Sequence, residues 1–104
     1  MNRWSMNQAW SNLEEMLREA GVASYEIRSD PDAKNDNGYF LFWVRVPGKK
    51  EVSVEMPGCS LATLKDPISY KAPRVVISGN TWWWQFAVET TADFLNGVRH
   101  SSVA

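Results

Sequence analysis

The run YFLFWVRV at residues 39–46 constrains the fold more than any other part of the sequence, because both faces of the strand it would form are largely apolar. One face would carry two phenylalanines and two valines, and the other would carry Tyr39, Leu41 and Trp43. Such a strand is typical of a sheet interior that is covered, at least in part, on both sides. A Pro-Gly turn and the alternating run EVSVEM follow at 47–56, and together the two runs predict a β-hairpin.

The N-terminal segment predicts an amphipathic helix. Ser5 and Gln8 form an S-x-x-Q capping box, which places the first helical residue at Met6. Apolar residues then recur at spacings of three and four as far as Ala20 and give one broad apolar stripe. Gly21 stands where a residue in the left-handed conformation ends a helix.

Three shorter elements are also predicted. The segment SYEIRS, residues 24–29, alternates in polarity and is interpreted as a strand. Residues 60–65 have the length of a single helical turn, with two leucines facing inward. The segment VVIS, residues 75–78, is interpreted as a further short strand.

The segment TWWWQFAVETTADFLNG, residues 81–97, fits two structures. A helix with Thr81 as its N-cap would place on one face Trp83, Phe86, Ala87, Thr90 and Phe94. A strand after a Gly79-Asn80 hairpin turn would place on one side Trp82, Trp84, Phe86 and Val88. Three consecutive tryptophans favour the strand and the tail ETTADFLNG favours the helix, and of the two we prefer the helix.

These elements predict an α+β fold, a two-layer sandwich with an antiparallel sheet of about four strands and a helix at each end, in the order α-β-β-β-β-α. A chain of 104 residues leaves no room for a second domain, since domains run to roughly 100–200 residues. We expect one domain over residues 1–97 and a flexible C-terminal tail over 98–104.

Composition narrows the class of protein. Eleven Lys and Arg residues against twelve Asp and Glu residues give a net charge of −1, so the overall charge indicates neither a basic nucleic-acid-binding protein nor an acidic DNA mimic. No apolar run approaches the roughly 20 residues of a membrane-spanning helix. Cys59 is the one cysteine, which excludes an intrachain disulfide and suits a reducing compartment. Since the N-terminus lacks the apolar stretch of a signal peptide, we expect a cytoplasmic protein.

The sequence offers no constellation for catalysis, so we expect a protein that is not an enzyme and uses no cofactor or metal. Cys59 would need a base, and His100 lies in the predicted tail. One cysteine and one histidine are too few for a structural zinc site. The segment SDPDAKNDNG, residues 29–38, loosely resembles a calcium loop but lacks the closing glutamate, and no phosphate-binding glycine motif is present.

Six tryptophans are the unusual feature of the composition. Three of them are consecutive at 82–84, and neither a helix nor a strand can turn all three inward, so at least one should be partly exposed. An exposed tryptophan either covers the edge of a small core or anchors a partner at an interface. Under the second interpretation the partner-binding residues are Trp43, Arg74, Trp82 and Trp84.

Part of the chain carries a longer motif. An MPG turn at 56–58 with Leu61 is followed by Pro73-Arg74, Gly79, Thr81 and a W-x-W-x-F-A segment that ends at Ala87. This pattern resembles a group of small uncharacterised proteins of bacterial phages, prophages and plasmids, although KDPISYKA stands here where that group has acidic and aromatic residues. The resemblance covers about a third of the chain and implies an origin in a mobile genetic element, with no activity attached.

Two functions follow as hypotheses. The first is a small protein that binds another protein or a second copy of itself, as an accessory protein of a phage or mobile element that modulates a host or phage enzyme. The alternative is a nucleic-acid-binding module in which Lys49, Lys50 and Trp43 contact the nucleic acid on a basic and aromatic sheet face.

Overall fold

The computed structural model describes residues 4–30, 38–66 and 72–95. Five strands form one antiparallel sheet in the order β1-β2-β3-β4-β5, which confirms the α+β fold with one strand more than the expected four. In chain order the elements are α1 (Met6–Glu19), β1 (Glu26–Ser29), β2 (Tyr39–Arg45), β3 (Val52–Pro57), α2 (Leu61–Leu64), β4 (Val75–Ile77), β5 (Asn80–Trp82) and α3 (Trp84–Leu95).

Helix α1 begins and ends at the predicted residues, although only the Ser5 half of the capping box forms, because the Gln8 side chain donates to Asn12 Oδ1 instead. Ser5 adopts an extended conformation and its Oγ accepts a hydrogen bond from the backbone N–H of Gln8 at 3.1 Å. At the other end Gly21 has a φ of 80°, and its N–H donates to the carbonyl of Arg18. The N–H of the next residue, Val22, donates to the carbonyl of Leu17, which completes a Schellman motif.

The core lies between one face of the sheet and the two long helices. On this inner face the register pairs Phe42 with Val54 and Val54 with Ile77, and all three are buried. The ring of Trp10 on α1 meets the ring of Phe42 edge to face at 5.6 Å between centroids. The opposite, outer face carries the alternate residues of each strand, and the described helices leave it uncovered.

The turn after β3 fixes α1 on the sheet, and this gives the MPG motif a structural role. Asn12 is buried, and its Nδ2 donates to the carbonyl oxygens of Pro57 and Cys59, both at 3.0 Å. Gly58 accepts a backbone hydrogen bond from Ser5, and a Cβ at Gly58 would lie 2.4 Å from the Ser5 carbonyl oxygen. Only glycine therefore fits this approach of α1 to the sheet.

The segment after β4 contains a hairpin and then a helix, so each of the two sequence interpretations is right for part of it, although the turn lies at Ser78-Gly79 and not at the expected Gly79-Asn80. Ser78 and Gly79 both have positive φ, 50° and 85°, and Ile77 pairs with Asn80 across them, as in a type I′ turn. Strand β5 then ends at Trp82, and α3 begins at Trp84. The expected N-cap at Thr81 is wrong, because strand pairing holds that residue opposite Val76.

The buried face of α3 differs in part from the apolar face that the sequence predicts. Trp84 enters the core first, and residues three and seven positions later lie on the same side of a helix. Phe86 and Phe94, which belong to the predicted face, are 51% and 46% exposed. The buried residues of α3 are Trp84, Ala87, Thr90 and Thr91.

Several expectations concern residues outside those that the structure describes. These are most of the acidic loop at 29–38, the helix stop at Gly97, the histidine at 100 and the tail at 98–104. Within the described ranges, no helix is long and apolar enough to cross a bilayer.

Candidate functional site

The change from β5 to α3 sends the three consecutive tryptophans in different directions. Trp82 pairs with the buried Val75 and packs against the core from the inner face. Trp83 lies between β5 and α3, and its carbonyl oxygen accepts a hydrogen bond from the N–H of Ala87 at 2.8 Å. Trp84 is only 6% exposed. The prediction that at least one of the three is partly exposed is confirmed, since Trp82 and Trp83 are both half-buried.

Arg74 stacks on Trp83. These two residues stand one step beyond the Val75–Trp82 pair, and the guanidinium carbon lies 4.4 Å from the indole centroid, a cation–π geometry. The backbone N–H of Arg74 also donates to the Tyr39 hydroxyl at 3.3 Å, which ties this position to β2. In the described part of the chain, no carboxylate lies within ion-pair distance of Arg74.

Lys65 stacks on the next tryptophan in a different electrostatic setting. Its Nζ lies 5.6 Å from the Trp84 ring and 2.8 Å from Glu19 Oε2, while Trp84 Nε1 donates to the other oxygen of Glu19 at 3.3 Å. Glu15 lies 4.0 Å from the same ammonium, and the hydrogen bond from Arg18 lowers the pKa of the Glu15 carboxyl. Carboxylates therefore neutralise the cation at this tryptophan.

A cavity of about 320 Å³ opens between α2 and the start of α3. Phe86, at 51% exposure, forms one wall, and Trp83 forms another. We name this cavity the aromatic groove, and its lining residues are Leu64, Lys65, Asp66, Trp83, Trp84, Gln85 and Phe86. Aromatic residues are enriched in protein–protein interfaces, whereas lysine and aspartate, which also line this groove, are depleted there.

The four residues predicted to bind a partner do not form one site. Trp43 lies on β2, paired with Arg28 of β1 and Ser53 of β3, so β3 and β4 separate it from Trp83. Arg74 shares the outer face with Trp43 but stacks on Trp83. The other two predicted residues, Trp82 and Trp84, pack against the core or belong to it.

Sequence reasoning did not identify Trp83 and Phe86 as residues that line a groove. The predicted helix groups Phe86 and Trp83 on one face with Ala87, which the structure buries. Ser78-Gly79 can form a two-residue hairpin turn, and this turn places Asn80–Trp82 in a strand and leaves Trp83 between that strand and α3.

Two other candidates from the sequence are Cys59 as a nucleophile and a metal site. Cys59 is 4% exposed, and burial raises the pKa of its thiol, which lowers the fraction present as the nucleophilic thiolate. Among the residues that the structure describes, no three His, Cys, Asp or Glu side chains are placed to hold a metal ion.

The nucleic-acid alternative stays a prediction. Lys49 and Lys50 are exposed in the β2–β3 turn, and Trp43 carries the guanidinium of Arg28 at 5.5 Å. Glu26 and Glu55 lie on the same outer face, where Glu26 pairs with Arg45 of β2 and Glu55 pairs with Val76 of β4. Acidic residues among the basic ones weaken attraction to a phosphate backbone.

No protein-family model, curated protein or solved structure matches this chain.

Proposed function

We propose that this protein is a non-enzymatic binding protein that holds a segment of another protein in the aromatic groove. The observation that carries the proposal is Phe86, a large apolar side chain that is half exposed to water in the first turn of α3, while Trp84, Ala87 and two threonines form the buried face of that helix. It stands beside Trp83 and Leu64 in one concave surface. Covering this surface would remove apolar area from water at about 25 cal/mol per Å².

The shape of the surface supports a side-chain anchor. Interfaces draw most of their binding energy from a few aromatic residues and arginines in concave, desolvated positions. The groove supplies such a position, and the Trp84 wall is held rigidly by its hydrogen bond to Glu19. A partner would insert one bulky apolar side chain between Phe86 and Trp83.

The resemblance to proteins of phages and plasmids supplies the proposed setting. In it the partner is an enzyme of the host or of the phage, and this protein modulates that enzyme by occupying part of its surface. Self-association through the same groove is the competing use of these residues, and the experiment below separates the two.

Two phenylalanines of α3 provide a matched pair of variants for the test. Phe86→Ser removes a wall of the groove, whereas Phe94→Ser removes a side chain of similar exposure at the other end of the helix. The wild type and both variants are tagged and used to capture partners from a bacterial lysate, with circular dichroism to verify folding. We expect a stoichiometric partner with the wild type and with Phe94→Ser, and at least tenfold less of it with Phe86→Ser.

Equal capture by the two folded variants would contradict the proposed site. A sharp dimer on sizing without any partner would contradict the proposed function, and would assign the exposed aromatic residues to self-association.

A further inference from the structure

We infer that the segment bound in the aromatic groove carries a carboxylate, and that Arg74 binds it while a neighbouring apolar side chain of the same segment enters the groove. This inference rests on the proposed function and names the chemistry of the partner. It comes from a difference between the two cations that stack on Trp83 and Trp84.

The two cations have the same kind of aromatic support but different charge partners. Lys65 has Glu19 at 2.8 Å and Glu15 at 4.0 Å, so its charge is neutralised within the chain. Arg74 is exposed and has no carboxylate partner among the described residues. The chain thus completes one of the two stacked pairs and leaves the other able to accept an anion.

Stacking orients the Arg74 guanidinium for this role. The guanidinium carbon of Arg74 lies over the Trp83 indole at 4.4 Å, and the N–H donors along the edges of a guanidinium can form paired hydrogen bonds with a carboxylate. The hydrogen bond from its backbone N–H to Tyr39 fixes the chain at the same point. Less side-chain freedom is therefore lost when the anion binds.

The surroundings favour a carboxylate on a peptide over the phosphates of a nucleic acid. Glu55 lies opposite Val76, which is two residues after Arg74 in the chain, and Asp66 lines the groove. A single carboxylate needs only the one arginine. A polyphosphate chain would bring several further charges against these acidic residues.

The chain offers a matched control for Arg74. Arg28 also stacks on a tryptophan, with its guanidinium 5.5 Å from Trp43, but it pairs with Glu51. Trp43 does not line the groove, whereas the tryptophan that carries Arg74 does. Arg28→Glu and Arg74→Glu therefore make the same chemical change in two similar exposed settings.

The experiment is a selection from a random peptide library displayed on phage, against the wild type, Arg74→Glu, Arg28→Glu and Phe86→Ser. Circular dichroism verifies that each variant is folded. We expect the wild type and Arg28→Glu to enrich peptides with an acidic residue next to a bulky apolar one. Arg74→Glu should enrich a basic residue in place of the acidic one. For the best wild-type peptide, changing its acidic residue to the amide should weaken binding about tenfold or more to the wild type, and should not weaken binding to Arg74→Glu.

The other outcomes are distinct. Peptides that are lost with Phe86→Ser, but whose charge preference is the same with Arg74→Glu, would overturn the carboxylate inference and leave the proposed function standing. A preference that changes with Arg28→Glu and not with Arg74→Glu would overturn it in favour of the Trp43 surface. No enriched peptide with the wild type, or salt-dependent binding of a single-stranded oligonucleotide at the same residues, would contradict both proposals.

Discussion

Helices α1 and α3 pack beside each other on the same face of the sheet, yet they distribute their apolar residues in opposite ways. Helix α1 buries its large side chains, including Leu13, Met16 and Leu17, and its exposed face is polar. Helix α3 buries Trp84 and otherwise small or polar residues, and it exposes two phenylalanines.

The large side chains of α1 stabilise the core, whereas the two phenylalanines of α3 lie on the surface. Small residues on the inner face of α3 let it approach α1 closely, with Thr91 Oγ1 3.8 Å from Met16 Sδ. The large residues that such an approach cannot accommodate remain outside, and those near Trp83 form the aromatic groove. Helix α1 supplies core volume, whereas α3 exposes Phe86 and Phe94, and Phe86 is the residue to which the proposed function assigns a partner contact.

The largest effect we expect tests this division directly. Leu13→Ala, at a fully buried position of α1, should lower the free energy of unfolding by about 3 kcal/mol, because the substitution leaves a cavity. Phe86→Ala should change it by less than about 1 kcal/mol, because the side chain is half exposed and alanine favours the helix. Urea unfolding monitored by tryptophan fluorescence measures both. If Phe86→Ala lowered the free energy of unfolding as much as Leu13→Ala, Phe86 would contribute to the core, and the contrast between the two helices would be wrong.

The buried polar residues of the two helices should differ as well. Asn12→Ala should cost about 2 kcal/mol, since it leaves the carbonyl oxygens of Pro57 and Cys59 without their donor. Thr91→Val should cost less than about 1 kcal/mol, because a thioether is a weak acceptor and valine has a similar shape. The same unfolding measurement applies. Equal losses would mean that Thr91 anchors α3 as firmly as Asn12 anchors α1.

The contrast between the helices also explains which parts of the fold could be predicted. Helix α1 carries its own start and stop signals in Ser5 and Gly21, and both act within a few residues of the chain. The start of α3 depends on pairing between β4 and β5, which holds Thr81 in the sheet. The periodicity of the local sequence gives no information about that pairing. The predicted helix therefore begins too early, and its predicted apolar face differs from the face that α3 buries.

The candidate site was less predictable for the same reason. Composition pointed to the tryptophans, and alternation indicated that one of 82–84 would be exposed, but which one depends on the register of β5. Arg74, a predicted partner-binding residue, is exposed, but its stacking on Trp83 requires the tertiary structure. Leu64 and Lys65 join the groove only because α2 packs near the start of α3.

The smallest effect we expect concerns how each helix starts. Helix α1 depends on a side-chain cap, whereas α3 depends on the preceding type I′ turn, in which Ser78 holds a φ of 50° that asparagine adopts more readily. Ser78→Asn should therefore raise the free energy of unfolding by about 0.5 kcal/mol. Gly79 has a φ of 85°, and a Cβ added there would meet no other atom within 4 Å. Gly79→Ala should therefore lower the free energy of unfolding by about 1 kcal/mol through backbone strain alone. Thermal unfolding of the two variants beside the wild type checks both signs. No change in either would mean that the turn does not position α3, and that the orientation of Trp83 and Phe86 is set by the core contacts of Trp84 instead.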